Sequence, residues 1–187
     1  MKICCISGKA EHGKTTFANF VKEECENTGL KVVIIHYGDI LKWLADKIYG
    51  CGFEKNDTTR TIWQQFGTNV VREKVGDWYW VTLVNIFAKA AEAAGVDVLL
   101  IPDARFPNEI DYMREHNSDV EAIRVLRSGH KSRLDEVQLQ HPSETALDDY
   151  EQFDLWVMND SDLQNLKDSA KTFVSHEILK KQSLPEA

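Results

Sequence analysis

The chain of 187 residues is 43% hydrophobic, which is enough to bury the core of one ordinary globular domain. Its formal net charge of -8 disfavours a broad nucleic-acid surface but permits a local basic pocket for a nucleotide. The four cysteines have no CxxC spacing, and no signal segment or apolar run long enough for a bilayer is present. These features favour a cytoplasmic protein that has buried, unpaired cysteines and no membrane contact.

The N-terminal segment carries the most informative motif. An apolar run from Ile3 to Ile6 is typical of a buried strand, and Gly8-x-x-x-x-Gly13-Lys14-Thr15 follows it. Residues 16–25 then repeat apolar side chains at helical spacing. Glycines let backbone N–H groups wrap around phosphate oxygens, and a helix N-terminus favours an anion. The segment therefore predicts a phosphate-binding loop, with Lys14 on the β- and γ-phosphates and the Thr15 hydroxyl on Mg²⁺.

Glu11 is unusual inside this loop, because a carboxylate facing the ligand would weaken phosphate binding. We expect it to point away from the phosphates, with Lys9 as its partner. His12 is interpreted as a variable loop position.

A helical block separates the next two strands. Lys31 to His36 is rich in β-branched residues and predicts a second strand, parallel to the first. Three segments with helical periodicity follow: Ile40 to Tyr49, Ile62 to Arg72 with an interruption at Gly67-Thr68, and a helix to Ala94 that Asp77 caps. The block is longer than a simple crossover needs, so residues 39–94 are interpreted as a helical substrate-binding excursion.

The second half of the chain alternates again between strand and helix. Val98 to Ile101 is almost wholly apolar, and Pro102-Asp103-Ala104-Arg105 comes straight after it. The remaining predicted elements are a helix from Pro107 to about His116, strands Val120 to Leu126 and Phe153 to Asn159, and a last helix, capped within 159–162, that buries Leu163, Leu166, Ala170, Phe173 and Val174. Residues 127–150 are polar, poorly periodic and long enough for a lid, and residues 180–187 should fray.

This order predicts an α/β, three-layer P-loop NTPase fold with a five-stranded parallel sheet. We expect one domain over residues 1–187. Its core comprises 1–38, 95–126 and 152–180, to which the helical excursion at 39–94 and the lid-like segment at 127–150 are added.

Several charged residues have two readings from sequence alone. Asp103 ends an apolar strand downstream of the glycine-rich loop, so it is a Walker B candidate for Mg²⁺, or else a helix cap. Arg105 is a candidate phosphate ligand or a structural ion pair, and Asp39 an acceptor ligand or a helix cap. Arg127 and Arg133, in the lid-like segment, are either phosphate ligands or solvated surface residues. Trp78-Tyr79-Trp80 is assigned to core and groove packing rather than to base stacking.

With these residues in view, the chain resembles the phage-type deoxynucleoside monophosphate kinases, a branch of the P-loop nucleoside monophosphate kinases. The matching motifs occur in the family's order over nearly the whole chain: Gly38-Asp39-x-Leu41-Lys42, Gln65-x-Gly67-Thr68 with Arg72 and Trp80-Val81, Asp103-x-Arg105-Phe106-Pro107-Asn108-Glu109, His141-x-Ser143-Glu144 and Asn159-Asp160. The chain departs from the family at Ala10-Glu11-His12, where small residues are commoner, and at Pro102 and Ala104.

The resemblance implies transfer of the ATP γ-phosphate to a deoxynucleoside 5′-monophosphate with Mg²⁺, in a bacteriophage protein of the host cytoplasm. It implies catalytic roles for Lys14, Asp103 and Arg105, with the metal at Thr15 and Asp103. ATP would be bound by Gly8, Lys9, Gly13, Lys14, Thr15 and Thr16. The acceptor would be bound by Asp39, Lys42, Arg60, Gly67, Thr68, Arg72, Trp80, Arg105, Glu109, His141, Ser143 and Glu144, with Arg127 and Arg133 in the lid. No nucleic acid or membrane partner is implied, and a homodimer is left open.

Two other functions are weighed against this one. A small-molecule P-loop kinase with a hydroxyl acceptor, similar to dephospho-coenzyme A kinase, would need Asp39 or Asp103 as a base. A non-catalytic nucleotide-binding switch would hydrolyse ATP or GTP slowly and expose a partner surface. The chain lacks the guanine-specific Asn-Lys-x-Asp element, and its arginine-bearing segments would have no use in a switch. The residues and the resemblance together favour the nucleotide kinase.

Overall fold

The computed structural model describes residues 1–180, so all but the first residue of the segment predicted to fray, 180–187, lies outside the described residues. Five strands form one parallel sheet in the order β2-β3-β1-β4-β5. They are β1 (Lys2–Ser7), β2 (Val32–Ile34), β3 (Val98–Ala104), β4 (Val120–Leu126) and β5 (Leu155–Met158). The predicted fold class is confirmed, and the predicted bounds of β4 match those observed.

Eight α-helices connect and cover the strands within residues 1–180. They are α1 (Lys14–Asn27), α2 (Tyr37–Tyr49), α3 (Asp57–Gln64), α4 (Trp78–Ala93), α5 (Pro107–His116), α6 (Glu136–Leu139), α7 (Pro142–Thr145) and α8 (Leu163–Phe173). Two of them continue as π-helices, α3 through Gln65–Arg72 and α8 through Val174–Leu179. None of these helices is both long and apolar enough to cross a membrane.

The sheet separates two apolar clusters. On one face, α1 and α8 cover β-strand residues such as Cys4 and Leu100. On the other face, residues of α2, α4 and α5 pack against Cys5 and Leu99. Adjacent strand residues thus point to opposite layers, as a sheet buried on both sides requires. Cys4, Cys5 and Cys25 are buried and all four cysteines are unpaired thiols, as predicted.

The third strand runs further than its apolar residues predict. Cys5 pairs with Ile101, but Ser7 pairs with Ala104, so β3 holds one extra residue opposite Ile6. The extra residue forms a β-bulge at Pro102-Asp103, which explains how a proline is accommodated in an inner strand. The neighbouring β2 has already ended there, since its last pair is Ile34 with Leu100.

Other sequence predictions are wrong in detail. Gly67-Thr68 does not interrupt its helix, because the segment continues as a π-helix. Asp77 stands at the start of α4, but its side chain makes no capping hydrogen bond. Leu163 begins α8 yet is exposed rather than buried, and of the predicted packing aromatics Trp80 is buried whereas Trp78 is exposed.

Candidate active site

The glycine-rich loop connects β1 to α1 in a conformation that side chains would prevent. Gly8 and Gly13 both have positive φ, at 150° and 97°. A Cβ on Gly8 would lie 2.4 Å from the carbonyl oxygen of Val125, and one on Gly13 would lie 2.5 Å from Nδ2 of Asn159. The same Asn159 nitrogen donates to the carbonyl of His12 over 3.0 Å, which ties the loop to the end of β5. The loop is therefore held in a form suited to phosphate.

Lys14 lies inside this loop. Its side chain is buried, and Nζ donates a 2.8 Å hydrogen bond to the carbonyl oxygen of Lys9. Burial, reinforced by the nearby Arg105 guanidinium, lowers the pKa of Lys14 to about 7. The ammonium group is thus poorly stabilised by the protein alone and suits an added anion.

A cleft of about 900 Å³ lies in front of the loop. Its wall is formed by the loop, the start of α2, the α3 and π-helical segment, the end of β3 and the segment 127–150. It contains seven cationic side chains, which are Lys14, Lys42, Lys55, Arg60, Arg72, Arg105 and Arg133, against five carboxylates. The cleft is thus locally cationic in a chain of net charge -8, so it is suited to an anionic ligand.

Glu144 joins the loop to two of these arginines. Its Oε2 accepts a 3.0 Å hydrogen bond from the backbone nitrogen of Ala10. Its Oε1 lies 2.9 Å from Nη1 of Arg105 and 3.8 Å from Nη2 of Arg60. The carboxylate is buried, and two guanidinium groups therefore meet at one anionic oxygen beside the phosphate loop.

Asp103 holds the start of α2. Oδ1 accepts from the backbone nitrogen of Tyr37 over 2.9 Å, and Oδ2 accepts from that of Gly38 over 2.8 Å. This is the helix-capping alternative weighed for Asp103, achieved across the sheet edge rather than within one helix. It also explains why α2 begins at Tyr37, three residues before its predicted start.

Glu109 and Arg72 form a buried ion pair beneath the cleft. Glu109 also accepts from the backbone nitrogens of Arg105 and Phe106, at 2.6 and 3.2 Å, and so caps α5. Burial raises the pKa of Glu109 to about 7, against the opposing effects of Arg72 and these donors. The Arg72 guanidinium lies 3.8 Å from the centre of the Phe106 ring. Both side chains therefore have structural partners that hold the Arg105 loop in place.

Aromatic and glycine residues shape the wall of the cleft that the helical block contributes. The indole nitrogen of Trp80 donates to the carbonyl of Gly67 over 3.1 Å. Lys42 Nζ lies 5.5 Å from the centre of the Trp63 ring. The indole nitrogen of Trp63 is buried and has no hydrogen-bond partner among residues 1–180. This part of the wall offers an apolar surface with few polar groups.

The loop residues between the two glycines contact the segment 127–150. Lys9 Nζ pairs with Asp148 over 2.7 Å, so the predicted partnership between Lys9 and Glu11 is wrong. Glu11 instead contacts the segment 127–150, since its Oε2 lies 3.1 Å from Nε2 of His130 and its Oε1 lies 3.7 Å from Nε of Arg133. His12 is likewise engaged, because its Nδ1 accepts from the backbone nitrogen of Arg127 over 3.2 Å.

The cleft brings together most of the residues singled out in the sequence. Those that line it are Gly13, Lys14, Thr15, Thr16, Lys42, Arg60, Gly67, Thr68, Arg72, Trp80, Asp103, Arg105, Glu109, Arg133, His141, Ser143 and Glu144. Four predicted residues do not line it: Gly8, Lys9, Asp39 and Arg127. The Asp39 side chain is 63% exposed and pairs with His36 and Lys42. Its predicted contact with the acceptor is not supported by this placement.

Two further residues support the loop: Asp148, which sequence reasoning missed, and Arg124, which it counted among the candidate arginines without a role. Asp148 accepts from both Lys9 and Arg124, and the buried Arg124 also donates to Ser7 Oγ over 3.0 Å. Burial lowers the pKa of Arg124, which indicates a tightly enclosed guanidinium. A polar residue at the centre of an apolar strand was the available signal for Arg124. Asp148 lies in an aperiodic segment and carried no such signal.

The parallel sheet, the glycine-rich loop and the cationic cleft together define a P-loop kinase. The chain belongs to the deoxynucleotide monophosphate kinase family, whose model matches residues 42–170. This match begins beyond the glycine-rich loop, so the loop and the family assignment are independent observations. It confirms the resemblance and identifies the protein as a phosphotransferase.

Solved structures show the same fold in other kinases. A sugar kinase from Janibacter sp. HTCC2649 superposes with a TM-score of 0.56 at 18% identity, over 96% of this chain and 97% of that one. A gluconokinase from Sinorhizobium meliloti 1021 gives 0.51 at 16% identity, over 98% of each chain. At these identities the likeness shows the fold alone. No curated protein sequence matches the chain.

Proposed function

We propose that the protein transfers the γ-phosphoryl group of ATP to a deoxynucleoside 5′-monophosphate, which gives the diphosphate and ADP. The observation that carries this proposal is the meeting of Arg60 and Arg105 at the Glu144 carboxylate, which itself contacts the phosphate loop. An anionic oxygen held between two guanidinium groups beside that loop has the chemistry of an acceptor phosphate, because the planar arginine fork matches carboxylate and phosphate alike.

The carboxylates of the site favour a phosphate acceptor over a hydroxyl acceptor. A phosphate is already a nucleophile at neutral pH, so the protein needs to align two phosphates and neutralise charge. A hydroxyl would need a carboxylate base. Of the two candidates for that role, Asp103 has both oxygens on backbone N–H groups, and Asp39 does not line the cleft and is paired with His36 and Lys42.

The residues of the loop fit ATP and Mg²⁺. Bound Mg²⁺–ATP supplies the transferred group and a metal that neutralises its charge. Burial of Lys14 outweighs the nearby carboxylates of Glu144 and Asp103 and lowers its pKa, so an added phosphate would stabilise its charge, and the loop conformation depends on Gly8 and Gly13. Thr15 is exposed at the cleft and offers a hydroxyl ligand. Each Asp103 oxygen keeps a second lone pair with which to hold a metal-bound water.

The acceptor's nucleoside would lie against the helical block. Leu41, Trp63 and Trp80 give this wall apolar surface, and Lys42 lies over the Trp63 ring. Such a wall suits the face of a base, whereas the arginines beyond it suit the 5′-phosphate.

The direct test is ADP formation with Mg²⁺–ATP and each of the four deoxynucleoside monophosphates, with the matching ribonucleotides beside them. We expect turnover that depends on a particular deoxynucleotide and is lost in Lys14→Ala and Arg105→Ala. Lys171→Ala, on the exposed side of α8, is the control that should keep activity. ATP binding without nucleotide-dependent turnover would overturn the proposed acceptor.

A further inference from the structure

Four consecutive residues of the phosphate loop contact the segment 127–150. Lys9 pairs with Asp148, and the backbone nitrogen of Ala10 donates to Glu144. Glu11 accepts from His130 and from the backbone nitrogen of Arg133, whereas His12 accepts from that of Arg127. The three loop residues at which the sequence departs from its family, Ala10-Glu11-His12, therefore form a docking surface for this segment.

Glu11 makes the most costly of these contacts. Its φ of 63° is the only positive value at a non-glycine residue within 1–180. This left-handed conformation is less favourable for a glutamate than for a glycine. A carboxylate in a phosphate loop also repels the ligand unless cations screen it. Both costs favour a glycine at this position, so the contacts of the Glu11 side chain must offset them.

Those contacts fix the backbone of Arg133. Glu11 Oε2 accepts a 3.2 Å hydrogen bond from the Arg133 nitrogen, and Oε1 lies 3.7 Å from Nε of the same residue. His130 Nε2 donates to the same carboxylate, and these donors lower the pKa of Glu11. The Arg133 side chain is 91% exposed and lines the cleft. Its backbone is thus anchored while most of its guanidinium surface stays accessible to a ligand.

We propose that Glu11 is a positioning residue that anchors the segment 127–150 on the phosphate loop and so places Arg133 over the phosphates of ATP. This inference rests on the proposed use of ATP but not on the identity of the acceptor. The phosphate loop and Arg133 thus form one unit, because Glu11 of the loop anchors the backbone of Arg133.

The test measures Mg²⁺–ATP binding by calorimetry in the full chain without any acceptor. Glu11→Gln keeps the size of the side chain but removes its charge, and Glu11→Gly removes the contact at a residue whose φ suits glycine. We expect either variant to weaken ATP binding by about tenfold, the scale of one charge-assisted contact. In an Arg133→Ala background, Glu11→Gln should cause no further weakening, since its effect passes through Arg133.

Cleavage by trypsin supplies a readout that needs no nucleotide. The anchor protects the bond after Arg133, so cleavage there should be several-fold faster in Glu11→Gln than in the wild type. The matched control is Glu26→Gln at the exposed end of α1, which should change neither cleavage nor ATP binding.

Three results would overturn the inference. They are tighter ATP binding in Glu11→Gln, equal weakening in both backgrounds, and unchanged cleavage after Arg133. None of them requires an acceptor. A wrong acceptor would instead abolish deoxynucleotide-dependent turnover while leaving the ATP and trypsin results intact, so the two failures are distinguishable.

Discussion

Asp103 Oδ2 lies 2.8 Å from the amide nitrogen of Gly38, so the next-to-last residue of β3 caps the helix that follows β2. Strands β2 and β3 are neighbours in the sheet, which brings their carboxyl ends to one edge. The sequence motif around Gly38 and the motif around Asp103 therefore form one structural unit.

Asp103→Asn should lower the free energy of unfolding by about 1–2 kcal/mol, measured by urea denaturation without Mg²⁺. An amide presents one oxygen acceptor, so one of the two N–H groups of Tyr37 and Gly38 would face an NH₂ group. Asp39→Asn is the control, because Asp39 lies in the same turn of α2 as Tyr37 and Gly38 but is exposed. It should change the free energy of unfolding by less than about 0.5 kcal/mol. Equal stability of Asp103→Asn and the wild type in metal-free buffer would restrict Asp103 to a metal-binding role.

ATP binding should take up a proton at Lys14. The pKa of this lysine is about 7 without ligand, and the phosphate charges raise it in the complex. Affinity should therefore fall as pH rises above about 7, with uptake of most of one proton per ATP at pH 8 if the bound lysine is fully charged.

Calorimetry in buffers of different ionisation enthalpy measures this uptake. Lys14→Arg stays charged throughout the range and should bind ATP without proton uptake at pH 8. Equal uptake by the wild type and Lys14→Arg would assign the proton to another group.

Arg105→Lys should impair the use of the acceptor but not the use of ATP. The lysine keeps the charge but loses the planar fork, so kcat/KM for the acceptor should fall by about 100-fold, whereas KM for ATP stays within about twofold. Steady-state kinetics with each substrate varied in turn makes the comparison, and Lys171→Arg is the surface control. A matching rise in KM for ATP would place Arg105 on the donor phosphates instead.

Glu109→Gln should destabilise the fold by about 3 kcal/mol at pH 8, because it leaves the Arg72 guanidinium buried without a counter-ion. The double variant Arg72→Met/Glu109→Gln should recover part of that loss, since no unpaired charge remains. Urea denaturation of the wild type, Glu109→Gln, Arg72→Met and the double variant measures the coupling. Simple additivity of the two substitutions would contradict the buried pair as a unit.

Local sequence could predict the features that are determined by residues close to one another in the chain. β4 has its predicted bounds because an apolar run between polar turns determines a buried strand. The loop from Gly8 to Thr15 was predictable because its glycines, lysine and flanking elements lie within a few residues of one another.

Features that depend on distant partners were not predictable from local sequence. Asp103 meets Tyr37 and Gly38 across the sheet edge, and its competing roles could not be separated without that contact. Glu11 was expected near Lys9, its neighbour in sequence, but its partners lie more than a hundred residues away. Asp148 lies in a segment without periodicity, where spacing carries little information, and Glu144 of the same segment was singled out by the family resemblance alone.

The bulge at Pro102 sets the phase of the chain beyond β3. Ile101 and Ala104 lie in the same apolar cluster, although strict alternation would send residues three apart to opposite sides. The orientation of Arg105 thus depends on Pro102, whose side chain carries no polar or charged group. Deletion of Pro102 would leave every candidate ligand residue in the sequence but would turn Arg105 away from Glu144. The motif residues alone would identify such a chain as an intact kinase, whereas the motif residues together with their spacing would not.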